Sequence, residues 1–105
     1  MDVIGVWRVT HVSNNGNDYR SAMEYNWYLN FYPDGTFIYS LQYEDVNEYQ
    51  IGHYTMELNR ISCDIPKTHP VTIDVLDLNG NTMTIKMQQN TAISVMYGIA
   101  EKQIK

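Results

Sequence analysis

Apolar and polar residues alternate with a period of two along most of the chain, broken by Gly, Pro and Asn positions, and helical spacing is hard to find. The alternation predicts eight strands, near residues 3–12, 25–32, 36–44, 49–57, 60–65, 70–77, 81–88 and 92–103. Their centres recur about every twelve residues, the spacing of an all-β sandwich or barrel joined by hairpins. One long irregular segment, 13–24, is rich in Asn, Ser and Asp. No linker or repeat divides the series, so residues 1–105 read as one domain.

Register follows from requiring both strands of a hairpin to place their apolar residues on one face, because a one-residue slip inverts a strand. In Tyr32-Pro33-Asp34-Gly35-Thr36, Pro suits a type I turn and Gly the left-handed position after it. That three-residue loop sets Phe31 opposite Phe37, Leu29 opposite Tyr39, Trp27 opposite Leu41 and Tyr25 opposite Tyr43. A turn at Leu58-Asn59 opposes Met56 to Ile61 and Tyr54 to Cys63. For the third hairpin, a three-residue loop Leu78-Asn79-Gly80 pairs Val75 with Met83, Ile73 with Ile85 and Val71 with Met87. A two-residue turn at Asn79-Gly80 would instead set Ile73 against Lys86, which costs apolar burial. Strand one offers Gly5, Trp7, Val9 and His11 to the inside, and strand eight offers Ile93, Val95, Tyr97 and Ile99. Eight such strands can close into an antiparallel up-and-down β-barrel with little or no helix, which removes exposed edges.

The meander has two unlike ends. Tight turns at 33–35, 58–59 and 78–80 gather at one, with bulky apolar residues such as Trp7, Phe31, Phe37, Met56, Ile61, Val75 and Met83 inside it. Longer connections at 13–24, 45–48, 66–69 and 89–91 gather at the other, where lids and binding loops are usually found. The candidate ligand-lining residues on that side are His11, Tyr25, Trp27, Tyr39, Tyr43, Tyr54, Met87 and Tyr97, which set hydroxyls and an imidazole on an apolar wall. The same tyrosines can equally pack a filled core with their hydroxyls reaching solvent.

Composition narrows the function classes. Seven Lys plus Arg against twelve Asp plus Glu give a charge of -5 with no basic run, which argues against a nucleic-acid groove. No apolar stretch approaches a helical membrane span. A single cysteine, Cys63, permits no internal disulfide and reads as a small buried hydrophobe. His11, His53 and His69 lack metal-ligand spacing, no catalytic constellation is visible, and Gly35, Gly52 and Gly80 are explained by turns or bulges. The chain is therefore expected to be no enzyme and to need no cofactor or metal.

Gly5-Val6-Trp7 opening the first strand, a long loop over the mouth after it and an eight-strand meander resemble the lipocalin and calycin group. Within that group, Phe31-Tyr32-Pro33-Asp34-Gly35-Thr36-Phe37 and Leu78-Asn79-Gly80-Asn81-Thr82-Met83-Thr84-Ile85 are similar to compact bacterial lipocalin-like domains. The resemblance implies that Trp7 closes the barrel base against a basic residue near the last strand, for which Lys102 is the candidate. It implies a small apolar or amphipathic ligand at the looped mouth, with segment 13–24 as lid. It also implies export to the periplasm, surface or medium, the signal peptide lying outside these 105 residues, with a cytoplasmic location left open. The other reading is a filled-barrel interaction module that meets a protein partner through its loops or through Tyr28, Tyr32 and Ile38. Interior volume separates the two.

Overall fold

A computed structural model describes residues 2–65, 70–89 and 95–103. The elements are β1 (Gly5–Ser13), the two-residue β2 (Arg20–Ser21), a 3₁₀ turn (Met23–Tyr25), β3 (Trp27–Phe31), β4 (Thr36–Tyr43), β5 (Val46–Glu57), β6 (Arg60–Asp64), β7 (Val71–Asn79), β8 (Thr82–Gln89) and β9 (Val95–Lys102). Every neighbouring pair is antiparallel, and β9 returns to pair with β1. Eight long strands thus form the expected closed barrel, with β2 added to β1 beyond the stretch that β3 occupies.

Two of the three expected hairpin registers are found. Phe31 faces Phe37, Leu29 faces Tyr39 and Trp27 faces Leu41. The Gly35 amide donates to the Tyr32 carbonyl at 3.1 Å, with Gly35 at φ 92°, the left-handed residue the loop needs. Met56 faces Ile61 and Tyr54 faces Cys63 across the two-residue turn at Leu58-Asn59, where Leu58 takes φ 57° and is fully exposed.

The third hairpin differs from expectation. Asn79 pairs with Thr82 across Gly80-Asn81, and an irregularity between Val75 and Asp77 then brings Val75 opposite Ile85 and Ile73 opposite Met87. Relative to the expected pairing the strands slide by two residues, so Ile73, Val75, Met83 and Ile85 remain inside. The bulge has a packing purpose. Strict alternation from Val75 would turn Leu78 outward, whereas here Leu78 sits opposite Met83 and packs on the core, and Leu76 is released to solvent.

The connection expected at 45–48 is also shorter. Tyr43 pairs with Val46, and Glu44 adopts φ 50° in a two-residue turn, so β5 runs for 12 residues. Both barrel ends therefore carry tight turns. The connection 66–69, most of the one at 89–91, His69 and Ile93 lie outside the described residues.

Trp7, Leu29, Phe31, Phe37, Ile61, Ile73, Val75, Met83 and Ile85 form the buried core, each at most 2% exposed. At the base, the segment before β1 turns under the barrel so that the Trp7 indole donates to the Val3 carbonyl at 2.9 Å. Lys102 lies over this closure with its ammonium 5.9 Å from the Trp7 ring centroid. Gly5, at φ 133°, makes room: a Cβ there would stand 2.7 Å from the Lys102 Cε. The Gly-x-Trp spacing thus joins a small residue under a lysine stem to the ring that the lysine covers.

Candidate functional site

Above that base the barrel is hollow. A cavity of about 560 Å³ opens toward the end with the longer connections. Phe37 and Ile73 form its floor, both at most 1% exposed, and Ile65, Val71, Met87 and Met96 form apolar walls. Trp27 and Tyr39 supply an aromatic wall from β3 and β4, while Asn14, Glu48, Gln50 and Gln89 bring polar groups to the lining. An apolar chamber with a few polar groups is the usual composition of a small-molecule site.

Register explains the polar residues. β5 pairs with β4 so that Gln50 stands opposite Tyr39 and Glu48 opposite Leu41, on the face that points inward. β6 pairs only with residues 53–57 of β5, leaving the 46–52 half of β5 without a β6 partner along the mouth. Gly52 marks the change. A Cβ there would fall inside contact distance of the Asp64 carbonyl, so the chain leaving β6 can cross close against β5 only at a glycine.

Three of the eight candidate residues line this cavity: Trp27, Tyr39 and Met87. Tyr25 and Tyr43 pack at a 56° tilt with ring centroids 4.7 Å apart but do not line the chamber. Tyr54 belongs to the base, edge-on to Phe31 at 5.2 Å and donating its hydroxyl to the Tyr32 carbonyl at 2.7 Å.

His11 and Tyr97 are corrected outright, since both face outward. In β1 the register shifts between Val9 and His11, which makes Thr10 an extra residue and reverses the alternation. Val12 is consequently buried while His11 is exposed, with its Nδ1 3.0 Å from the Thr10 hydroxyl. β9 presents Met96, Gly98 and Ala100 to the interior opposite Met87, Ile85 and Met83. A Cβ on Gly98 would already touch Ile85 at 3.5 Å, so the interior there takes small residues and the larger Tyr97 and Ile99 go outside.

Segment 13–24 is not draped across the opening. The Ser13 hydroxyl accepts the Asn15 and Gly16 amides at 3.2 and 3.0 Å, and Gly16 packs against the Tyr97 ring on the outer surface. Further on, Arg8 holds the 3₁₀ turn by donating to the Met23 carbonyl at 2.9 Å, and the Ala22 amide donates to the Thr10 carbonyl at 2.7 Å. Of this segment, Asn14 reaches the cavity. On the outer face, Tyr28 lies beneath the Arg8 guanidinium at 5.8 Å, and the Tyr32 hydroxyl accepts a hydrogen bond from Asn30 at 2.9 Å.

Electrostatics single out the aromatic wall. Burial, followed by the Glu48 carboxylate, pushes the Tyr39 phenol up to about 12, and the Trp27 indole moderates the rise. Tyr39 stays neutral as a result. The Trp27 Nε1 atom is itself buried, and its approach to the Tyr39 phenol is too poorly aligned to make a good hydrogen bond; a buried neutral donor left wholly unpaired costs roughly 1–3 kcal/mol. Cys63, pushed up to about 12 by burial, is an unreactive thiol within the core. Among the described residues no group of three or more His, Cys, Asp or Glu could hold a metal ion. No described helix is long and apolar enough to cross a membrane.

The sequence reading missed Glu48 and Gln50. The available signal was parity: Gly52, Tyr54 and Met56 were read as inward, and counting back two at a time reaches both polar residues. Starting the strand at residue 49 hid Glu48, and Gln50, inside that strand, was passed over as polar.

A closed antiparallel barrel of eight long strands, sealed at one end by a Trp-Lys pair and hollow at the other, defines the calycin class of architecture. A family model for the lipocalin-like domain matches residues 3–85, and the chain belongs to that family. The crystal structure of an uncharacterised protein from Bacteroides eggerthii is similar in fold, with a TM-score of 0.69 over 95% of this chain and 99% of that one at 12% identity. Curated proteins provide no match.

Proposed function

We propose that this domain binds a small amphipathic molecule in the open half of its barrel. The observation that carries the reading is the chamber of about 560 Å³, with its apolar floor and polar groups, above a base of fully buried side chains. A chamber of that size falls within the range for small-molecule pockets. Membership of a family whose fold typically serves binding rather than catalysis supports it. A filled-barrel interaction module draws no comparable support from the interior.

The test is titration with N-phenyl-1-naphthylamine, an uncharged fluorescent probe, while Trp emission is followed. Saturable quenching that disappears in Trp27→Phe is expected, because Trp27 lines the cavity and Trp7 is sealed in the base. No saturable change across probes of different length would overturn the reading. Export is part of the same proposal, motivated by the likeness to exported bacterial domains; retention of the native protein in the cytoplasm after cell fractionation would contradict it.

A further inference from the structure

The chamber carries its one charged group, among the described lining residues, on a single wall, which bears on what its occupant carries. Trp27, Tyr39, Glu48 and Gln50 come from three consecutive strands, β3, β4 and β5, and all line the cavity. The Trp27 and Tyr39 rings meet edge to face at 6.3 Å. In the β4–β5 register Gln50 stands opposite Tyr39 and Glu48 follows two residues away on the same face, so the aromatic pair and the carboxylate share one part of the wall. Across the chamber the walls are Val71, Ile73 and Met87, where Gln89, opposite Val71, adds a neutral amide as Asn14 does elsewhere in the lining, so Glu48 carries the one charged group among the described lining residues.

We infer that the β3–β5 wall reads a ligand head group that donates a hydrogen bond, a hydroxyl or an amine, and discriminates against a carboxylate. The inference rests on the binding reading above and assigns the chemistry of that same site. The Glu48 carboxylate offers acceptor oxygens, so it pairs with an O–H or N–H and opposes a second carboxylate beside it. Trp27 Nε1 is a buried donor that makes no hydrogen bond of good geometry, its interaction with the Tyr39 phenol being weakly aligned, and a hydroxyl oxygen can fill that role while its own hydrogen goes to Glu48. A hydroxyl satisfies both groups, an amine satisfies Glu48, and a carboxylate satisfies Trp27 only while facing Glu48. The alkyl part of any of them lies along Phe37, Ile73 and Met87.

The experiment compares three ligands with one ten-carbon tail, decanol, decylamine and decanoate, by displacement of N-phenyl-1-naphthylamine at pH 7. Decanol and decylamine are expected to compete at least about tenfold more strongly than decanoate, the equivalent of about 1.4 kcal/mol. Glu48→Gln removes the charge and is expected to bring decanoate to within about twofold of decanol. Displacement by decanol with equal displacement by decanoate overturns the head-group inference and leaves the pocket standing. An unchanged preference in Glu48→Gln overturns the role of Glu48 and with it the inference. Failure of all three to displace a probe that does bind overturns the amphiphile reading itself.

Discussion

The two halves of this barrel use one strand meander to opposite ends. In the base, Trp7, Phe31, Met83 and Ile61 fill the interior, and the Trp7 indole N–H is bonded to the Val3 carbonyl. In the upper half the same strands surround a chamber, and the second indole N–H, on Trp27, has no well-aligned acceptor. Two tryptophans in equivalent inward positions thus differ in whether the fold completes their bonding. Close packing and a completed hydrogen bond go together at Trp7, whereas Trp27 combines an incompletely bonded indole with open space beside it.

The sharpest way to break this contrast is truncation in the base. Trp7→Ala should lower unfolding free energy by about 3–5 kcal/mol in denaturant titration, a large part of what a domain this size has. Lys102 then loses the ring it covers. Gly52→Ala, at the boundary between the halves, should cost about 1–3 kcal/mol, because the new methyl meets the Asp64 backbone rather than a movable side chain.

Alkaline titration probes the aromatic wall. Tyr39 has its folded pKa raised to about 12 from 10.0, so its contribution is fully present below pH 10 and is lost as pH rises toward 12, where the unfolded chain ionises first. Tyr39→Phe should flatten the fall in stability across that window. An equally steep fall in the variant would show that the phenol is not held neutral. Cys63, raised to about 12 from 9.0, adds a loss of the same sign that begins near pH 9 and persists in the variant.

Truncation in the mouth should matter least for folding. Met87→Ala removes a wall of an existing chamber, so it should cost less than the 2–5 kcal/mol typical of a packed methionine while weakening probe binding. His11→Ala, on the outside, should change stability by under about 0.5 kcal/mol and leave binding untouched. A loss of binding in His11→Ala would return the imidazole to the site and break the outward assignment.

Most of the barrel was legible because alternation, turn residues and apolar burial agree in the hairpins at 33–35 and 58–59. The base was legible through the family resemblance, which implies that the tryptophan of Gly5-Val6-Trp7 packs against a basic residue near the last strand and so pointed to Lys102. The candidate site was only partly readable. Trp27, Tyr39 and Met87 sit on strands where alternation runs unbroken from the core. His11 and Leu78 lie beyond bulges, and each bulge reverses the count by one residue at a place where no Gly or Pro marks it. Tyr97 was misplaced by size, since the interior of β9 takes Gly98 and Ala100 beside Ile85 and Met83. Glu48 and Gln50 were passed over because polar residues rarely face into a small barrel unless something is to be bound there.

The two indole N–H groups give the most direct test of the contrast. In ¹H–¹⁵N correlation spectra of the uniformly labelled protein, titration with decanol should move the Trp27 indole signal in a saturable way and leave the Trp7 signal in place. Equal movement of both signals, or of neither, would contradict a sealed base beneath a binding chamber.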